Sequence, residues 1–114
     1  MFFERVHFAD KVQFEGVVFR DTVNFHRTQF KKTSSFYGAK FLGNVNTLSI
    51  VTFEGDTQFS EVVFEHSVSF QGSTFRGVAQ FIATVFCGNA DFIGATFYEY
   101  DYFCICLFWK GSYI

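Results

Sequence analysis

Phenylalanine recurs along the chain at 3, 8, 14, 19, 25, 30, 36 and 41, then at 53, 59, 64, 70, 75, 81, 86, 92, 97, 103 and 108. The steps alternate between five and six residues, which gives an eleven-residue period. Leu48 fills the vacant place after a seven-residue step from Phe41, and the alternation then resumes in phase toward Ile114. Only Phe2 lies outside the series. Two residues before the centres sits a small or β-branched residue: Val6, Val12, Val17, Val23, Thr28, Ser34, Ala39, Val51, Val68, Ser73, Ala79, Thr84, Ala90 and Ala95, with Asp101 and Cys106 as departures. Eight of the nine glycines follow a centre by two places. There a chain turning a corner needs φ > 0 or a close backbone approach.

An eleven-residue period also suits a helical coiled coil. On a 3.6-residue helix, however, steps of five and six rotate by about 140° and 240°. Successive rings would then point to nearly opposed faces rather than share a stripe. In an extended chain the centre and the residue two before it share a face, so both point inward. Corners every five or six residues close a square coil of about 22 residues. The pattern therefore predicts one all-β domain over residues 1–114: a four-sided parallel β-helix of about five coils, roughly 24 Å long. Vertical rows would read Phe8, Phe30, Phe53, Phe75, Phe97 and Phe14, Phe36, Phe59, Phe81, Phe103. A flattened coil of 11 residues with two faces and about ten turns is the alternative, less favoured because two facing rows of rings leave little room for the corners. The seven-residue step near Asn44 and Asn46 predicts a bulge.

The unit resembles that of the pentapeptide-repeat family, Ala-(Asp/Asn)-Leu/Phe followed by two freer positions. Ala90-Asp91-Phe92-Ile93-Gly94 fits directly, and Val23-Asn24-Phe25 and Ala79-Gln80-Phe81 fit loosely. The resemblance spans essentially the whole chain and implies a right-handed quadrilateral β-helix. Most members of that family lack an assigned role. Some mimic duplex DNA and act on DNA gyrase, which uses a strongly acidic exterior and often a projecting loop; this chain departs on both counts.

Composition supports a repetitive core. Phe supplies 20 residues of 114, and Met and Trp one each, with no Pro. Burial of one ring contributes roughly 4–6 kcal/mol as an upper bound, enough in sum to oppose backbone ordering at about 1–2 kcal/mol per residue. The net charge of −2 implies no strongly charged partner. Its distribution is uneven: residues 1–40 carry seven bases and four acids, whereas residues 41–114 carry two bases and seven acids. No basic segment followed by an apolar run opens the chain, which argues against a secretory signal. The apolar stretch Tyr102 to Trp109 is too short to span a bilayer. Three cysteines without paired spacing fit a reducing compartment and a cytoplasmic location.

No constellation for catalysis, metal or cofactor emerges. His7, His26 and His66 map to different faces or distant coils, and Cys104 and Cys106 alternate across the wall, with Cys87 an ordinary thiol. Glu54 between Lys31 and Arg76 reads as a charge ladder. The bases Arg27, Lys31, Lys32 and Lys40 lack interleaved exposed aromatics, so nucleic-acid binding is disfavoured. Thr52, Thr74 and Thr96 form one outward row with no second beside it.

Two surface features stand out. Val18, Val63, Val85 and Leu107 share an outward row interrupted by Lys40, with Leu42, Cys87 and Trp109 one column away. The C-terminal coil carries Tyr98, Tyr100, Tyr102, Ile105, Leu107, Trp109 and Tyr113, a candidate self-association surface for a homodimer. The expected function is a non-enzymatic solenoid acting as a protein-interaction or scaffold module, with a DNA mimic that binds a type II topoisomerase as the alternative.

Overall fold

The computed structural model describes residues 1–99, together with the strand backbone of Asp101–Tyr102 and Leu107–Phe108. The chain winds into a four-walled β-solenoid whose strands are two or three residues long and pair in parallel. Wall I stacks His7–Phe8, Gln29–Phe30, Thr52–Phe53, Thr74–Phe75 and Thr96–Phe97. Wall II stacks Val12–Gln13, Ser34–Ser35, Thr57–Gln58, Ala79–Gln80 and Asp101–Tyr102. Wall III stacks Val18–Phe19, Lys40–Phe41, Val63–Phe64, Val85–Phe86 and Leu107–Phe108. Wall IV stacks Val23–Asn24, Val45–Thr47, Ser67–Ser69 and Ala90–Asp91, with Phe2 bridged to Asn24 beneath them.

Phe8 pairs with Phe30, and Phe75 with Phe97, one coil of 22 residues on. This register removes the 11-residue, two-faced alternative. The described residues make about four full turns, slightly short of the five expected for the whole chain.

The interior is built from ring columns. Phe30 stacks on Phe53 at 5.1 Å and 3°, Phe36 on Phe59 at 4.7 Å and 3°, and Phe75 on Phe97 at 4.6 Å and 2°. These separations match the strand spacing of about 4.8 Å, so backbone pairing and ring stacking require the same rise. Rings on adjoining walls meet edge to face, as Phe53 does with Phe59 at 6.0 Å and 86°, or tilted, as Phe70 does with Phe75 at 6.1 Å and 46°. The stacked and edge-to-face geometries suit the aromatic quadrupole. Phe25, Phe36, Phe41, Phe59, Phe64 and Phe70 are fully buried. Phe3, Phe8 and Phe14 of the first coil are only half-buried.

Side chains two before the centres do face inward, as Val23, Ala39, Val51 and Ala90 show by complete burial. Buried hydroxyls in these slots clasp the coil beneath. Ser73 Oγ donates to Leu48 O at 2.5 Å and accepts from Val51 N at 3.0 Å. Thr28 makes the same pair of contacts with Phe3 O and Val6 N.

The two step lengths make different corners. In the five-residue steps the amide three residues on bonds back to the centre's carbonyl, as from Ala39 N to Phe36 O at 2.9 Å. The residue between them is left-handed, with φ +69° at Gly38 and Gly72, the type II turn pattern. Arg5, Arg27, Ile50, Glu61 and Ala83 hold the same place with φ of 54–61°. In the six-residue steps glycine answers crowding instead. A Cβ at Gly77 would lie 2.5 Å from the carbonyl carbon of Gly55 in the coil below.

The extra residue of the seven-residue step is absorbed in a corner and makes no bulge within a strand. Lys40 pairs with Val18, an offset of 22, whereas Asn46 pairs with Val23, an offset of 23. Strand Val45–Thr47 then pairs in full with Ser67–Ser69. Leu48 is completely buried in the column otherwise held by Phe3, Phe25, Phe70 and Phe92. Asn46 occupies the inward slot before it, buried, donating from Nδ2 to Gly43 O at 3.2 Å and Ser67 O at 3.1 Å. Its Oδ1 is buried without a partner.

Candidate interaction surface

Each wall presents one outward residue per coil just before the centre, so the register turns sequence into vertical columns. On wall I the column is His7, Gln29, Thr52, Thr74 and Thr96, the expected threonine row. On wall II it is Gln13, Ser35, Gln58 and Gln80, with Gln58 Nε2 donating to Gln80 Oε1 at 2.6 Å. A shallow groove of about 270 Å³ runs along this wall beside Lys11, Asp56 and Gln58. On wall IV the column is Asn24, Thr47, Ser69 and Asp91. Among the described residues, wall III alone is mainly aliphatic: Val18, Lys40, Val63 and Val85 follow one another, and the register continues to Leu107. The apolar row read from the sequence is therefore one column, interrupted by Lys40.

Arg76 Nε lies 3.7 Å from Glu54 Oε1, half of the expected ladder; Lys31 forms no ion pair among the described residues. The Arg76 guanidinium carbon also sits 4.9 Å from the centre of the Tyr98 ring, a cation–π contact. Of the candidate self-association residues, Tyr98 is thus placed, 60% exposed at the top of a Glu54–Arg76–Tyr98 column. Tyr102 and Leu107 are placed by backbone alone in walls II and III. Tyr100, Ile105, Trp109 and Tyr113 lie outside the described residues.

A contact the sequence reading missed joins Tyr37 on one coil to Glu61 on the next, with the phenol donating to Oε2 at 2.5 Å. That hydrogen bond, and then the neighbouring negative charge, raise the Tyr37 phenol above its ordinary value. The signal was a spacing of 24 residues, one more than the 23 that separate Ser35 from its partner Gln58, which makes the two near neighbours.

Among the described residues, no three histidine, cysteine, aspartate or glutamate side chains converge as metal donors. Cys87 is a half-buried free thiol on wall III; Cys104 and Cys106 lie outside the described residues. No helix among the described residues is long and apolar enough to cross a membrane.

Stacked parallel walls, a stepwise aromatic core and corner turns define a repeat protein of the four-sided β-solenoid class. A family model described as pentapeptide repeats, nine copies, matches residues 3–47 and 59–103. The chain belongs to the pentapeptide-repeat family. Comparison with curated proteins and with solved structures matches none of them.

Proposed function

We propose that this protein is a non-enzymatic interaction or scaffold module, cytoplasmic in location, that self-associates through its C-terminal coil. The observation that carries the reading is the character of the described surface. Its outward columns include runs of one residue type, as in the Gln58–Gln80 contact and the threonine row, and gather no set of reactive groups in an enclosed cavity. Such walls suit recognition by shape and by rows of side chains. Of the C-terminal aromatics that would carry the association, Tyr98 is described and is exposed.

Sedimentation equilibrium up to high micromolar concentration tests the association. At high salt the wild-type chain should form dimers, and Trp109→Ala should lose them while unfolding at nearly the wild-type temperature. Monomer alone throughout the range would remove self-association from the reading. The acidic surplus of residues 41–114 favours a second reading, mimicry of DNA toward a type II topoisomerase. A gyrase supercoiling assay distinguishes the two: inhibition at micromolar protein supports mimicry, and unchanged supercoiling disposes of it.

A further inference from the structure

Wall III combines two features. It is the only wall whose described outward column is mainly aliphatic, with Val18 43% exposed and Val63 and Val85 half-buried above it. It also carries unspent charge. Arg20 and Lys40 extend from the first two coils and Glu65 from the third, all exposed and without an ion pair or side-chain hydrogen bond among the described residues. Bases thus lie at one end of an apolar strip and an acid further along it. That arrangement complements itself when inverted.

We propose that wall III pairs with wall III of a second copy of this chain, the two solenoids side by side and antiparallel. The dyad lies in the interface between the second and third coils. Coil two then faces coil three of the partner, and coil one faces coil four. Lys40 meets the strand bearing Val63, within reach of Glu65 two residues further along it. Val18 meets Val85. A parallel arrangement would set Lys40 against Lys40 and Glu65 against Glu65, so charge selects the antiparallel one. A dyad passing through the third coil would bring the two Glu65 side chains together, so charge also fixes the register.

Four coils give a face roughly 19 Å tall and 16 Å wide, well below the ~800 Å² per partner of a standard interface. The pair is therefore weak, fast-exchanging and sensitive to salt. It goes beyond the C-terminal association and does not depend on it, because the fifth coil overhangs the paired region.

Charge reversal and complementation provide the test. Lys40→Glu and Glu65→Lys alter exposed, unpaired side chains, and circular dichroism with thermal unfolding should show both variants folded like wild type. In sedimentation equilibrium at about 500 µM and low salt, the mass of the Trp109→Ala chain, which lacks the C-terminal contact, should rise toward dimer and fall again on adding salt. Each charge change added to Trp109→Ala should leave the chain monomeric, with affinity down at least about tenfold. The equimolar mixture should recover dimer. There the carboxylate introduced at position 40 of one variant meets the amine introduced at position 65 of the other, and the unaltered Lys40 meets the unaltered Glu65. A Trp109→Ala chain that is monomeric at this concentration overturns the proposal. So do charge variants that pair as it does, or a mixture no heavier than its parts. Trp109→Ala separates this proposal from the C-terminal one: it should retain the salt-sensitive pair. Loss of all association in Trp109→Ala, with the charge variants of the wild-type chain unaffected, would place the contact at the C-terminal coil and overturn pairing through wall III.

Discussion

Two glycines of the same repeat position answer different physical demands, and the difference is measurable. At Gly38 an added Cβ would meet nothing within 4 Å, but the backbone sits at φ +69°. Gly38→Ala should therefore cost only the left-handed penalty, about 1–2 kcal/mol. At Gly77 the added atom would fall 2.5 Å from backbone of the coil beneath, which cannot swing aside. Gly77→Ala should cost more, at least about 3 kcal/mol, by forcing two coils apart and breaking their pairing. Urea unfolding of both variants gives the comparison, and equal losses would refute the two-class reading. Tyr37 offers a second measurement. Its pKa is raised because folding favours the protonated phenol that Glu61 holds. The sign follows: this preference contributes below the ordinary tyrosine pKa of about 10 and is lost as pH rises through the raised folded value. An NMR titration should find Tyr37 above its ordinary value in wild type, and nearer to it in Glu61→Gln.

Within one wall, strands of two or three residues have little standing alone; what holds them is the ring column behind. Phe75 lies between Phe53 at 4.7 Å and Phe97 at 4.6 Å, at 1% exposure. Phe75→Ala removes both stacks and leaves a cavity, so a loss of about 3–5 kcal/mol is expected in chemical denaturation. The corner between Phe41 and Val45 should be the weak point of the interior coils. It carries the extra residue, and the slot beside it holds Asn46 with a buried carbonyl oxygen unpartnered. Amides of residues 43–45 should exchange with deuterium faster than their equivalents one coil up. These elements were legible in the sequence to unequal degrees. The rings and the residues two before them were readable because burial permits few substitutes there, and Leu48 was placed by phase alone. Corner type was not readable where the left-handed position holds Arg27, Ile50 or Ala83, since tertiary pairing overrides the local preference of those residues. The Tyr37–Glu61 and Arg76–Tyr98 contacts were also hidden, because side chains on a wall choose partners by rotamer as well as by column. The site was less legible than the fold for the same reason: surface columns tolerate many residues.

Taken as a whole, the molecule is one-dimensional. The strand pairings join residues 22 or 23 apart, so each coil touches only the coils above and below. Architectures of this kind lose stability roughly in proportion to the interfaces removed, provided the phase survives. Deleting Phe70 through Asp91 takes out 22 residues and joins Ser69 to Phe92, which occupies the place of Phe70 one coil up. Every ring beyond the join then drops by one whole coil onto an equivalent ring: Phe97 onto Phe53, in place of Phe75. The shortened chain should fold with the wild-type β signature and unfold cooperatively, at a lower midpoint. Its denaturant dependence should be smaller by about a fifth, because less surface is exposed on unfolding. Deleting Phe70 through Asn89 removes almost the same mass but leaves Ala90 and Asp91 between Ser69 and Phe92. The inward alternation survives, yet each later corner falls two residues out of step with the corner below, and no left-handed turn meets its counterpart. That chain should lose the cooperative transition. If both deletions unfolded alike, the coil would not be the unit of this structure, and the columns on which its surface is read would have no fixed register.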